Sequence, residues 1–169
     1  MLLPLALERL MRPEFNVTAA DVTVGLLSGV LSGLCVLFHY EVMSTTSRFL
    51  SHVRFPRRMR IIVVILAMLV AHVVEVWMFA LTFWGLSPWE QLGGLSAIGP
   101  TDAQAFVYYS VVTYTTLGLG DILPHGAIRI LTGTEALVGL ALITWTASFA
   151  FLEMQRDWAE YRRGVSGPD

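Results

Sequence analysis

The stretch that decides the fold is residues 115–121, which read Thr-Thr-Leu-Gly-Leu-Gly-Asp. Gly118 and Gly120 alternate with leucines, directly after two threonines and directly before an acid. Because glycine has no Cβ, it adopts φ values that other residues resist. A strand with glycine at alternate positions can therefore turn successive carbonyl oxygens toward one side, which an ordinary β-strand cannot do.

Four such strands around an axis would form stacked rings of carbonyl oxygens, and such rings can replace the hydration shell of a cation. Residues 115–121 resemble the selectivity filter of potassium channels, which usually reads Thr-Val-Gly-Tyr-Gly-Asp. The resemblance covers residues 60–156 and is closest to the small bacterial potassium channels with one pore loop per chain. The motif is short, but its position after a short apolar helix and between two long apolar segments is typical of a filter. A plain turn between a helix and a span is the alternative interpretation.

The resemblance implies that backbone oxygens bind dehydrated potassium as the permeant ion, with no further cofactor and no transition metal. The residues assigned to this ion-binding filter are Thr116, Leu117, Gly118, Leu119 and Gly120. Thr115, Asp121 and Tyr109 are expected to support the filter. The resemblance places Gly139 at the gating hinge of the inner helix, although close helix packing explains a glycine there equally well. Phe151 lies on the helical face that would line the axis and is the candidate cytoplasmic constriction.

The filter departs from the family pattern at two positions, with Leu117 in place of valine and Leu119 in place of tyrosine. In the family, the tyrosine hydrogen-bonds to aromatic residues of the pore helix. Leu119 has no hydroxyl with which to bond Tyr109, the aromatic residue expected to face it. Conduction uses backbone oxygens and is expected to survive, whereas strict preference for potassium over sodium stays open. A weakly selective monovalent cation channel is therefore the alternative function.

The chain has the composition of a membrane protein. Of its 169 residues, 55% are hydrophobic and 14% are charged, whereas charged residues make up about a quarter of a soluble domain. About 20 apolar residues suffice to cross a bilayer, and residues 22–40, 59–83 and 128–152 form apolar segments of about that length. We therefore expect an all-α membrane protein with three transmembrane helices, and a re-entrant pore helix over residues 103–116.

The domain organisation follows from these spans. Residues 1–58 would hold the extra first transmembrane helix and a basic cytoplasmic connector. Residues 59–155 would form the pore domain, with the filter at residues 116–121, and residues 156–169 would form a short cytoplasmic tail. Arginines are concentrated in residues 41–60 and in the tail, which places both in the cytoplasm. The filter and the N-terminus would then face the outside of a cell membrane, with the bacterial inner membrane as the expected location.

The re-entrant strand also predicts an oligomer. Non-helical backbone persists at membrane depth only where protein or a water-filled cavity surrounds it, and one chain has too little material for this. The resemblance implies four chains, so we expect a homotetramer embedded in lipid. The net charge of −2 gives no reason to expect a nucleic-acid partner. No soluble substrate is expected, and the protein is not expected to be an enzyme.

Three ionisable residues lie deep in the predicted spans: His72, Glu75 and Glu135. The helical rise places them within about two turns of one another in depth, and ionisable groups at such depth are usually paired. One interpretation is a hydrogen-bonded cluster that joins the second span to the third. The other is a proton sensor that modulates gating, because histidine titrates near neutral pH.

A rival function from another class is a membrane metalloenzyme that uses His39, Glu41, His72 and Glu75. These residues lack the helical two-histidine spacing of known zinc motifs. The predicted topology also places His39 at the cytoplasmic end of its span, whereas His72 lies near mid-membrane. A non-conducting partner subunit is a further alternative.

Overall fold

A computed structural model describes residues 17–53, 56–97 and 102–165 of the chain. The described part contains four α-helices: α1 (Ala19–His52), α2 (Arg57–Leu86), α3 (Ala103–Tyr114) and α4 (Ile128–Val165). It also contains a 3₁₀ helix (Glu90–Leu92) and two short strands, β1 (Gly94–Ala97) and β2 (Ile122–His125). Within it, α1, α2 and α4 are each long and apolar enough to cross a membrane. The predicted all-α membrane fold is therefore confirmed.

Helix α1 is longer than the sequence indicated. Its apolar stretch predicted a span over residues 22–40 followed by a polar connector, but the helix continues without a break to His52. Residues 41–52 contain no proline or glycine. Met43 and Leu50, from this added part, are buried in an apolar cluster with residues of α2. The helix thus extends because one face continues to pack, even though the mean hydropathy has fallen.

Helices α1 and α2 run antiparallel. Cys35 Sγ lies 4.0 Å from Met78 Sδ, and His39 Nδ1 lies 2.8 Å from Glu75 Oε1. Residue numbers therefore rise along α1 in the direction in which they fall along α2. His39 is therefore level with the middle of α2. The expectation that His39 lies at the cytoplasmic end, away from the mid-membrane residues, is wrong. Hydropathy identifies the apolar residues of a helix, but it does not determine how far that helix is displaced along its neighbour.

Helix α4 runs parallel to α1. His39 Nε2 contacts Thr146 Oγ1 at 3.1 Å, and further along both helices Ser47 Oγ donates to Glu153 Oε1 at 3.5 Å. The helix extends to Val165, beyond the predicted span of residues 128–152. The added part lacks proline and reaches glycine only one residue before the end of the helix, so nothing in its sequence stops the helix earlier.

Helix α3 is enclosed by α2 and α4 and has the dimensions of a re-entrant helix. Its 12 residues span about 18 Å at 1.5 Å per residue, which is too short to cross the hydrocarbon. Asp102 caps its first turn by accepting a hydrogen bond from Ala105 N at 3.0 Å. The ring of Tyr109 meets the ring of Phe83 edge-on at 5.2 Å in the main apolar core. The helix ends at Tyr114, two residues before the predicted end.

The strands form a small antiparallel ribbon that the sequence analysis did not predict. Gly94 pairs with His125 and Ala97 pairs with Ile122. Each strand has only four residues, too few for an alternating pattern to identify it. The ribbon joins the segment after α2 to the segment that leaves residues 115–121, and Ile122 anchors it in the main core.

Candidate ion-binding site

The backbone of residues 116–120 alternates between two conformations. The φ angle is +58° at Thr116, +56° at Gly118 and +80° at Gly120, whereas Leu117 and Leu119 are not among the residues with positive φ. A Cβ added at either glycine would meet nothing within 4 Å, so it is the positive φ that requires glycine there. A β-branched residue such as Thr116 seldom adopts positive φ, and such conformations persist where the surrounding structure imposes them.

The segment of residues 116–120, which we call the strand although it pairs with neither β1 nor β2, begins with hydrogen bonds to the C-terminal end of α3. Thr116 N–H donates to Thr113 O at 2.9 Å, while Leu117 N–H and Gly118 N–H donate to Val112 O at 2.9 and 3.3 Å. The carbonyl oxygens of residues 116–119 accept no backbone hydrogen bond within the described part of the chain. The amides are therefore bonded to the helix, whereas the oxygens remain available to another partner.

Residues 115–121 are all exposed in the single chain. Leu117 and Leu119 have 62% and 59% of their surfaces accessible. A hollow of about 380 Å³ is lined by Thr116, Gly118 and Gly120 together with residues of α3 and α4. Irregular backbone is not tolerated against lipid, so in a membrane this surface must be covered by further protein or face a water-filled cavity.

Tyr108 connects α3 to Asp121, the residue that follows residues 116–120. Its hydroxyl donates to Asp121 Oδ2 at 2.8 Å, and this hydrogen bond to a carboxylate raises the pKa of Tyr108. The sequence analysis assigned support of the filter to Tyr109, but the Tyr109 hydroxyl lies 2.8 Å from Thr132 Oγ1 of α4. Adjacent residues of a helix point about 100° apart, and the sequence alone did not show which of the two tyrosines faces the filter.

Thr115 and Gly139 support the same region from two sides. Thr115 Oγ1 donates to Val111 O at 2.7 Å, within the last turn of α3. A Cβ added at Gly139 would overlap the carbonyl oxygen of Tyr114 and lie 3.0 Å from its Cγ. This contact favours close packing as the reason for Gly139, and its role as a hinge stays a prediction. The role of Phe151, 52% exposed on α4, as a constriction also stays a prediction.

Five side chains from all four helices form a polar cluster next to the end of α3. We define this polar cluster as His39 of α1, His72 and Glu75 of α2, Tyr114 of α3 and Thr146 of α4. The carboxylate of Glu75 is central: its Oε1 lies 2.8 Å from His39 Nδ1, and its Oε2 lies 3.1 Å from His72 Nδ1. Tyr114 Oη donates to the same Oε2 at 2.5 Å.

Thr146 closes the polar cluster on the opposite side of the two imidazoles. Its Oγ1 lies 3.1 Å from His39 Nε2 and 3.0 Å from His72 Nε2. A hydroxyl carries one hydrogen, so Thr146 can donate to one of these nitrogens and accept from the other. Both rings are therefore held by contacts at both nitrogens, with their Nδ1 atoms turned toward Glu75.

Glu135 does not belong to the polar cluster, which corrects the expectation that it joins His72 and Glu75. It is fully buried and contacts Ser110 Oγ through its Oε1. Its Oε2 has no hydrogen-bond partner among the described residues. Ser110 Oγ also donates to Val76 O at 2.8 Å. The sequence analysis predicted the depth of Glu135 in the membrane but not its direction. Glu135 projects toward Ser110 of α3, and the place beside Glu75 that we had assigned to Glu135 is occupied by His39.

Of the four residues in the metalloenzyme hypothesis, three lie close together and Glu41 does not join them. Glu41 lies on an exposed face of α1. His39, His72 and Glu75 are brought together, with potential ligand atoms all within 4.8 Å of one another. The signal that could have identified His39 is its position in the buried stripe of α1, four residues from both Cys35 and Met43.

Comparison with protein families matches residues 58–156 to a family described as "Ion channel". The match covers more than half of the chain and extends from α2 through the ribbon, α3 and residues 115–121 into α4, while α1 lies outside it. In comparisons with curated proteins and with solved structures, no significant match was found. The chain belongs to this ion channel family, and the resemblance to small potassium channels with one pore loop per chain is confirmed.

Proposed function

We propose that the protein conducts potassium passively across a membrane through a filter built from its own backbone oxygens. The observation that carries the proposal is the positive φ at Thr116, Gly118 and Gly120, at every second residue of one strand. This alternation turns successive carbonyl groups to the same side of the strand. Rings of such oxygens can replace the hydration shell of a potassium ion.

The proposed assembly is a homotetramer in lipid. The exposed side chains of Leu117 and Leu119 would pack against neighbouring copies, and the four strands would surround a common axis. The C-terminal end of α3, next to Thr116, carries a partial negative charge that favours a cation below the filter. Gating is assigned to α4, with Gly139 and Phe151 as the residues to test. Modulation by protons through His72 and Glu75 stays a prediction.

The proposed location is a cell membrane, with the bacterial inner membrane as the specific hypothesis. Basic residues of the α1–α2 connection and of the C-terminal part of α4 support a cytoplasmic position for both. The filter strand then enters from the outside, and the N-terminus lies outside as well. No covalent chemistry forms part of this function.

Ion flux from the purified protein in liposomes tests the proposal. We expect an electrical potential that follows the potassium gradient, and a loss of flux of at least about tenfold in Gly118→Ala, because alanine resists the φ of +56° at this position. Gly133→Ala is the matched control, because a Cβ added there meets nothing within 4 Å. Equal flux in all three proteins would contradict the filter assignment. No flux from a correctly assembled wild type would favour a non-conducting partner subunit.

A second candidate is a weakly selective monovalent cation channel. It is favoured by Leu119, which lacks a hydroxyl with which to tie the strand to α3. Reversal potentials in mixed potassium and sodium separate the two functions. A reversal potential that follows potassium alone supports the first, and one midway between the two gradients supports the second.

A further inference from the structure

We propose that the polar cluster is a binding site for one divalent transition metal ion of the zinc type in each chain. The proposed ligands are His39 Nδ1, His72 Nδ1 and the carboxylate of Glu75, and these three residues each offer one potential ligand atom within 4.8 Å of those of the other two. This site does not depend on which ion the channel conducts. It also differs from the filter in chemistry, since it offers nitrogen donors and the filter offers backbone oxygens.

The spacing of the donor atoms suits a small tetrahedral ion. Two ligands that are each about 2.1 Å from zinc lie about 3.4 Å apart in a tetrahedron. Glu75 Oε1 lies 2.8 Å from His39 Nδ1, and Glu75 Oε2 lies 3.1 Å from His72 Nδ1. The two separations involve different oxygens of the carboxylate, and each lies within about 0.6 Å of this edge length. A metal ion would take the place of the hydrogen that now lies between the atoms of each pair, and a neutral imidazole bound through Nδ1 would carry its hydrogen on Nε2, where Thr146 Oγ1 can accept it.

The groups around the donors have the arrangement found behind metal-binding histidines. A ligating imidazole usually donates from its second nitrogen to an oxygen, which fixes the orientation of the ring. Here the Nε2 atoms of His39 and His72 both lie about 3 Å from Thr146 Oγ1. The Tyr114 hydroxyl, 2.9 Å from His72 Nδ1 and 2.5 Å from Glu75 Oε2, is positioned to complete a four-coordinate site.

The donors are chemically selective and come from different parts of the fold. His72 and Glu75 are three residues apart and share one face of α2. His39 comes from α1, which lies outside the region matched to the family. Two imidazoles with one carboxylate suit zinc, whereas magnesium and calcium prefer sites made of oxygen alone. His39 and Glu75 are fully buried, and 16% of the His72 side chain is accessible in the single chain.

Titration of the full-length protein with Co²⁺ alone, after removal of bound metal with a chelator, tests this site. Metal content by mass spectrometry should show one Co²⁺ per chain, with the strong visible absorption of a tetrahedral site. His39→Gln and His72→Gln should each weaken binding at least tenfold and abolish this absorption. Thr146→Val, a change in a positioning residue, should weaken binding by about 10- to 100-fold. His125→Gln and His52→Gln are matched controls at exposed histidines and should bind Co²⁺ as the wild type does.

Each variant is first compared with the wild type in helix content and oligomer size. If one histidine variant differs from the wild type in helix content or oligomer size, the Co²⁺ affinity of the other variant tests the site. This is possible because each variant removes one ligand from a different helix. The proposal is overturned if the wild type binds Co²⁺ with no higher affinity than a correctly folded histidine variant does. It is also overturned if the absorption is that of an octahedral ion held at the surface. Neither result bears on the flux assay, so failure of the metal site and failure of potassium conduction are distinguishable.

Discussion

Tyr108 and Tyr109 are adjacent in sequence but point about 100° apart around α3 and contact different partners. The Tyr108 hydroxyl donates to Asp121, which directly follows the proposed filter, and the Tyr109 hydroxyl contacts Thr132 of α4. An aromatic residue in this part of the pore helix was predictable from the family resemblance. Which tyrosine faces Asp121 depends on the rotation of α3 about its axis, and the packing of Tyr109 against Phe83 fixes that rotation.

We expect the two tyrosines to have separate effects when each loses its hydroxyl. Tyr108→Phe leaves Asp121 without this donor, so the outer end of the filter should be held less firmly and the potassium-to-sodium permeability ratio should fall. Tyr109→Phe should leave that ratio unchanged and lower the free energy of unfolding by about 1 kcal/mol, because it removes one buried hydrogen bond. Reversal potentials and thermal unfolding in detergent measure the two effects. A fall in selectivity in Tyr109→Phe alone would contradict the assignment.

At the scale of elements, α4 and the end of α3 meet where Gly139 faces the backbone of Tyr114. Hydropathy was sufficient to predict the helices themselves, because a run of apolar residues long enough to cross a bilayer is a local property. The displacement of α1 along α2, and with it the position of His39, depends on side-chain packing between distant segments. For the same reason, the ribbon of Gly94–Ala97 and Ile122–His125 was not predictable from four-residue patterns.

The two glycines of α4 should respond differently to alanine. Gly139→Ala pushes a methyl group into Tyr114, so we expect destabilisation of about 1–3 kcal/mol, the usual cost of overpacking. Gly133→Ala meets nothing within 4 Å and should stabilise the helix by up to about 1 kcal/mol. Thermal unfolding of the detergent-solubilised assembly measures both changes. A Gly139→Ala protein with wild-type stability but altered open probability would instead support the hinge implied by the family resemblance.

At the scale of the whole molecule, one chain leaves the proposed filter, residues 116–120, uncovered. Every residue of the 115–121 stretch is exposed in the single chain, although it follows a helix that packs between α2 and α4. A backbone of this kind is stable in a bilayer only when neighbouring protein or an aqueous pathway surrounds it. The need for an oligomer could therefore be predicted from the sequence, while the number of copies rests on the family resemblance.

Native mass spectrometry of the protein released from detergent should show four chains as the main species. A Leu117→Asp substitution places a charge on a side chain that is 62% exposed in the single chain and that we expect to pack against a neighbouring copy. It should therefore shift the distribution toward smaller species. Leu137→Asp is the control variant, because it places the same charge on a side chain of α4 that is 71% exposed in the single chain and lies outside residues 115–121. A monomeric wild type would contradict the proposed pore.

The polar cluster has a thermodynamic consequence for the whole chain. If α1 separated from α2 and α4 within the bilayer, the carboxylate of Glu75 would lose His39, and Thr146 would lose one of its two imidazole neighbours. Buried polar groups without partners in hydrocarbon are costly. The first helix and the pore region are therefore expected to melt in a single cooperative transition, as one folding unit and not as an appendage attached to an autonomous domain.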